Sequence, residues 1–251
     1  MQKRVCRFCG EQLTTTFADL GMSPLSNSFL CEKDLYRAEM FFPLHAFVCK
    51  RCLLVQVIDA QKPDEIFSDY SYFSSYSSTW LGHAQKYAVM ATERFHLNKD
   101  SRIIEIASND GYLLQYFQRL GIPVLGIEPA ANIALVAKKK GIPTKVDFFG
   151  TRLAHELNAN EEMADLVIGN NVLAHVPDIN DFVAGMKVIM KPKGTITMEF
   201  PHLLNLIIGN QFDTIYHEHF SYISLNTAIK IFEAKGLKIY DVEELPIHGG
   251  S

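Results

Sequence analysis

The chain reads as an α/β protein with a parallel sheet covered by helices and a small N-terminal lobe that binds metal. Three observations predict this. Two Cys-x-x-C pairs, Cys6/Cys9 and Cys49/Cys52, stand near the N-terminus. From Asp100 onward short apolar β runs alternate with helical stretches, the pattern of a parallel sheet buried on both faces. The first of those runs ends in Glu105-Ile-Ala-Ser-Asn-Asp-Gly111, a tight turn after a buried strand of the kind that holds a nucleotide.

At 251 residues, 48% of them hydrophobic, the chain has room for one ordinary domain plus a small one and can bury a sizeable core. Its net charge of −4 argues against a dedicated nucleic-acid binder, which shows a basic face. No apolar run is long enough to span a bilayer, and Met1-Gln2-Lys3-Arg4 leads straight into the cysteines, so we expect a cytoplasmic protein with no membrane partner. Five cysteines in that compartment favour metal over disulfides.

Three regions separate. Residues 1–62 carry the cysteines, short alternating stretches and turn residues such as Gly10, Gly21 and Pro24, a loop-rich lobe with a few strands. Residues 63–98 form a connector with the aromatic, serine-dense stretch Asp69 to Tyr76 and a helix predicted over Thr79–Phe95. Residues 99–251 hold the sheet. Its strands are expected at 103–107, 124–128, 144–146, 166–170, 195–200 and 238–242, with helices over 112–120, 131–140, 179–190 and 224–235. Gly121, Gly141 and Gly236 follow three of these helices, where a left-handed cap favours glycine. The lysines at 138–140 fall in a last helical turn and read as a solvated end favoured by the helix dipole.

Each Cys-x-x-C places two sulfurs close enough to share one ion, and the stretch from Gly10 to Val48 can fold a small lobe between the pairs. Four cysteines make a closed tetrahedral zinc site with no open position, so the metal should fold the lobe rather than do chemistry. Cys31, left over, reads as buried packing.

The loop after the first strand departs from a glycine-rich dinucleotide fingerprint, with Ala107 and Asn109 where glycines are expected. Small residues still let a cofactor approach the backbone, and Asn109 tolerates a left-handed conformation. The second strand ends in Glu128, placed to accept hydrogen bonds from ribose hydroxyls; spacing alone does not choose between an NAD-type and an S-adenosylmethionine-type site. Asn170 and Asn171 either cap the next helix or line the cleft.

These motifs, together with Asp69-Tyr-Ser-Tyr72, Gly169-Asn-Asn-Val172 with His175, and Tyr216-His-Glu-His-Phe-Ser-Tyr222, span almost the whole chain. In them the chain resembles the zinc-containing sugar C-methyltransferases that act on nucleotide-linked 4-ketosugars in deoxysugar biosynthesis. The resemblance implies a Rossmann-like class I methyltransferase fold, S-adenosylmethionine as cofactor, structural zinc on Cys6, Cys9, Cys49 and Cys52, and methyl transfer to a carbon beside a ketone. It makes His219 the candidate base that forms the enolate. Tyr216 and Glu218 would be its neighbours, with His175 and Tyr70 reaching the acceptor. The implied cofactor set is Glu105, Ala107, Ser108, Asn109, Gly111, Glu128, Pro129, Asn170 and Asn171.

Plainer roles compete. His217 and His219 alternate around Glu218, so one of them can face solvent or satisfy the core; His175 can pack a loop, and Tyr70 can be a core aromatic. O- or N-methylation of another small metabolite, or a silent zinc-ribbon binding module, are the alternative functions. The family resembled also has a last antiparallel strand and a further C-terminal domain, and the sequence stops at His248-Gly-Gly-Ser251, where that strand would begin. We therefore expect a fragment, or a chain that borrows the missing pairing by self-association.

Overall fold

The computed structural model describes residues 4–59 and 72–251. Tyr70 lies outside the described residues. Compactness divides the chain into two units: Met1–Lys62 with Leu173–Asn180 and Glu199–Ser251, and Pro63–Val172 with Asp181–Met198.

In the first unit, β1 (Thr15–Ser23), β2 (Phe42–Val48) and β3 (Val55–Val57) form an antiparallel meander. The β1–β2 register slips between Asp19 and Met22, where Gly21 takes φ +75°. A late segment completes this sheet: β9 (Ser221–Tyr222) pairs with β3, setting Val55 against Tyr222 and Gln56 against Ser221. Helices α6 (Leu203–Ile208) and α7 (Leu225–Glu233) flank β9 in sequence, and the Ser224 side chain caps α7 by accepting from Thr227 N at 3.2 Å. Leu44, Ala46, Val55, Val57, Leu203, Leu206, Ile215 and Tyr222 make this unit's core.

The second unit opens with α1 (Ser78–Arg94), whose Ser77 cap accepts from Trp80 N and whose Ala84, Ala88 and Ala91 line one buried face. Strands β4 (Ile103–Ile106), β5 (Val124–Ile127), β6 (Thr144–Lys145), β7 (Ala164–Asn170) and β8 (Met190–Glu199) lie in the order β6-β5-β4-β7-β8. The pairings β4–β5, β4–β7 and β5–β6 are parallel. Helices α2 (Leu114–Arg119), α3 (Ala131–Lys139), α4 (Thr151–Ala159) and α5 (Ile179–Ile189) alternate with these strands. The chain steps outward from β4 to β6 and then returns to place β7 on the other side of β4. That reversal is the topological switch point at which open α/β sheets build their sites. Ile103, Ile104 and Ile106 of β4 are at most 2% exposed, as befits a strand covered on both faces, and Glu105 between them is buried too.

Four expectations need correction. Lys238–Val242 forms no strand: the run alternates, but no neighbouring strand pairs with it, and Tyr240 and Val242 stand exposed. Helix α4 was not foreseen, although Leu153, Ala154 and Leu157 are its buried stripe. Cys31 is exposed, not packed. Lys140, at the end of α3, is not simply solvated: its Nζ donates at 3.0 Å both to the Asp110 carboxylate and to the Asp110 carbonyl. The glycine caps are as expected, with φ +73°, +81° and +69° at Gly121, Gly141 and Gly236. Among the described residues no helix is long and apolar enough to cross a membrane.

Backbone exchange follows from this pairing. Amides of Ile103–Ile106, paired on both sides in the sheet, should exchange with deuterated solvent far more slowly than those of residues 237–245. Equal protection of the two segments would show that the C-terminal run is paired after all.

Candidate functional site

Both Cys-x-x-C turns are built alike. Gly10 N donates to the Cys6 carbonyl and Leu53 N to the Cys49 carbonyl, each at 2.9 Å, and the residue after each pair is left-handed, Gly10 at φ +73° and Leu53 at +70°. All four sulfurs lie within 4.8 Å of one another, and the Cys6–Cys52 and Cys9–Cys49 distances are 3.5 Å. Four thiolates around one zinc with bonds of about 2.3 Å stand about 3.8 Å apart, so this donor set fits the ion. No disulfide links them. The hydrogen bond with Cys52 pulls the Cys6 thiol down to about 4, while that bond and burial push Cys52 up. The cluster favours one thiolate and resists more until a cation arrives. Gln56 of β3 steadies the first turn, accepting from Arg7 N at 2.9 Å and donating to Cys6 Sγ at 3.2 Å.

The first unit also gathers the histidines. After Phe212–Thr214, a 3₁₀ turn, the chain bends so that His219 N donates to the Tyr216 carbonyl at 3.0 Å. His219 Nδ1 lies 2.9 Å from the Thr214 carbonyl, which can only accept, so Nδ1 carries the proton. Nε2 therefore keeps its lone pair and accepts from the Tyr216 hydroxyl at 2.8 Å. The His175 ring stands edge-on to His219 with centroids 4.6 Å apart. Burial pulls His219 down to about 4 and His175 to about 3, and a charge on His219 would lower His175 further. Both imidazoles are thus neutral at pH 7. Burial raises the Tyr216 phenol, keeping it protonated as a donor.

The alternation around Glu218 resolves into different roles. His217 is 3% exposed, packs edge-to-face on Phe42 and lies 3.3 Å from the Pro43 carbonyl, which makes it a core residue. Glu218, 2% exposed, accepts at one oxygen from Ser26 Oγ at 3.0 Å and Asn27 Nδ2 at 2.8 Å. Sequence reasoning missed Ser26 and Asn27, because nothing in their spacing links them to residue 218.

In the second unit the registers Glu105↔Gly126 and Glu105↔Ile168 bring the ends of β4, β5 and β7 level. The loops 107–111, 128–130 and 170–171 therefore share one edge of the sheet. Ala107, Asn109 and Gly111 are left-handed at φ +56°, +49° and +77°, a winding that turns successive peptides inward. Asn109 holds it, its Oδ1 accepting from Asp110 N and Ser74 N, each at 2.9 Å. The Glu128 carboxylate accepts from Asn109 N and, beyond Pro129, from Ala130 N, each at 2.9 Å. Burial still lifts Glu128 to about 7 and Glu105 well above the carboxylate range. Gly126 leaves room for Ser108: a Cβ there would collide with Ser108 Oγ. Buried side-chain atoms on this edge lack partners, namely both oxygens of Glu105, Ser108 Oγ, Asp110 Oδ1 and Asn170 Nδ2. Buried acidic oxygens with lone pairs to spare suit a ligand that brings cationic groups and hydroxyls.

Residues 6–67 match a family model of a zinc-binding domain, and residues 80–242 match one described as a methyltransferase domain. The chain is 36% identical over 246 residues to the C-methyltransferase NovU of Streptomyces niveus, an alignment covering 98% of this chain and 59% of that protein. It is 24% identical over 156 residues to the mitochondrial ubiquinone biosynthesis O-methyltransferase of Rattus norvegicus, covering 56% of this chain and 45% of the other. The chain thus spans roughly half the length of these curated relatives. Among solved structures, the YcgJ protein of Bacillus subtilis aligns with TM-score 0.52 at 14% identity over 65% of this chain and 72% of its own, a likeness of fold.

The cysteine cluster makes a direct prediction. Purified protein should carry about one zinc per chain, and Cys49→Ser should lose it to a chelator that leaves the parent loaded. Metal analysis finding none, with Cys6 and Cys9 joined as a disulfide, would refute the site.

Proposed function

Since the chain belongs to the methyltransferase-domain family matched over residues 80–242, we propose that it methylates a carbon beside a ketone, on a nucleotide-linked ketosugar. The observation that carries this reading is the unprotonated Nε2 of a neutral His219, accepting from the Tyr216 hydroxyl at 2.8 Å with His175 beside it. A C–H next to a carbonyl yields a nucleophile only when a base removes the proton and a donor steadies the enolate oxygen. His219 Nε2 takes that proton as the Tyr216 hydroxyl turns its hydrogen from Nε2 to the substrate oxygen, while the Thr214 carbonyl, holding Nδ1–H, stabilises the imidazolium. The Tyr216 hydroxyl or the neutral His175 then donates to the enolate oxygen. Glu218, held by Ser26 and Asn27, keeps the segment that carries His219 in place. Tyr70 belongs to the same acceptor set in this reading.

S-adenosylmethionine, when bound, supplies an electrophilic methyl group. The buried Glu105 carboxylate and the Asp110 Oδ1 left over from the Lys140 ion pair suit its polar and cationic groups, and Glu128, each oxygen with a lone pair to spare, suits its ribose diol. Ser108, Asn109, Gly111, Pro129, Asn170 and Asn171 line the same edge. The zinc cysteines fold the first unit and take no part in chemistry. The relative named a C-methyltransferase supports carbon as the acceptor. The O-methyltransferase relatives support a second reading, in which His219 deprotonates a hydroxyl.

Two measurements test this. A carboxylate accepts ribose hydrogen bonds best when ionised, so cofactor affinity should fall as pH drops below about 7, the value at Glu128. Glu128→Gln should weaken binding by about 1–3 kcal/mol and flatten that pH dependence. A profile unchanged by the substitution would remove Glu128 from the site. His219→Asn should cut methyl transfer at least a hundredfold and abolish exchange of the α-proton of a nucleotide-linked 4-ketosugar in deuterated buffer, with cofactor affinity within about twofold. Exchange at the parent rate would place the base elsewhere, and a parent that methylates without any exchange would favour the hydroxyl acceptor.

A further inference from the structure

Arg7 stands between the two cysteines of the first metal turn, a position that usually faces water. Here its side chain is 9% exposed. One guanidinium nitrogen donates to the Pro177 carbonyl at 2.8 Å, and the other to the Val57 carbonyl and the Asp59 carboxylate, each at 2.8 Å. The guanidinium also lies over the Phe220 ring, 5.3 Å from its centroid. Asn180 returns the connection, its amide nitrogen donating to the Arg7 and Phe8 carbonyls at 3.1 and 2.9 Å.

The anchor points matter more than their number. Pro177 lies two residues after His175, and Phe220 directly follows His219. Phe220 is 0% exposed, and its carbonyl accepts from Val57 N at 3.1 Å. One buried cation thus grips both segments that deliver the histidine pair, while its own backbone belongs to the metal turn.

We propose that Arg7 is a positioning residue for His175 and His219, tying their ring geometry to the closed state of the metal-binding turn. A cation with a planar fork suits this, because its donors reach carbonyls on two segments at once; a lysine ammonium cannot span both. The consequence is that metal loss or thiol oxidation should disturb the histidines although neither contains a metal ligand. Removing this hydrogen-bonded cation also takes a donor from the Pro177 and Val57 carbonyls.

The proposal rests on the reading of His219 as the base, but its test uses ligand-free, zinc-loaded protein and so stands apart from that reading. ¹⁵N NMR of the histidine rings should show the parent His219 as a single Nδ1–H tautomer. In Arg7→Met, with zinc confirmed at about one per chain, His219 should show mixed tautomers, and its amide should exchange at least tenfold faster. Amides of Ile103–Ile106 should not change. A parent-like His219 ring in zinc-loaded Arg7→Met would overturn the proposal. If Arg7→Met does not retain metal, Arg7→Lys decides: it keeps the charge over Phe220 and should give an intermediate tautomer ratio, whereas a ring identical to the parent's would overturn the idea.

Discussion

Four sulfurs confined within 4.8 Å are the constraint from which the first unit is built. Unscreened thiolates at that spacing repel one another, and thiols alone offer weak hydrogen bonds, so only a cation makes the arrangement favourable. Closing the two turns fixes the ends of β2 and β3, because Cys49 follows β2 and Cys52 precedes β3. The edge of β3 then selects β9, and β9 delivers the turn that holds His219. The order is causal: metal turns, hairpin, late strand, imidazole.

The second unit obeys a different rule. Its loop after β4 places two non-glycine residues, Ala107 and Asn109, in left-handed backbone, at a cost of about 1–2 kcal/mol each before compensation. The Asn109 side chain, bonded to two backbone amides, offsets part of that cost. Strain of this sort persists where the surroundings over-determine it, and here they also hold the buried acids Glu105, Asp110 and Glu128 along the same edge.

Much of this was legible in the residues. Cysteine spacing reports geometry directly, since two residues between sulfurs can form only a few turns, and Glu105 to Gly111 advertised a strand followed by a turn. What escaped reading was long-range or lacked a neighbour. A two-residue strand such as Ser221–Tyr222 has no periodicity to detect, and its pairing with Val55 and Gln56 is set by the fold. Lys238–Val242 shows the opposite failure, a convincing alternation with no strand beside it. Alternation likewise could not separate His217 from His219, because a period of two puts both on one face; the turn closed by His219 N and the Tyr216 carbonyl is what gives them different surroundings. Ser26 and Asn27 gave no signal, since a hydrogen-bonded partner of Glu218 can come from any loop that passes close by.

The ladder between β3 and β9 also sets a timetable. The chain is synthesised from its N-terminus at about 5–20 residues per second, so β3 emerges roughly ten to thirty seconds before the segment that will cover it. Throughout that interval the nascent hairpin carries a bare edge with Val55 and Val57 on it, a template for any extended chain nearby. Early capture of metal can lock the two turns but cannot hide that edge. This protein's most vulnerable moment therefore falls on the ribosome, after its cysteines are complete and before Tyr222 has been made.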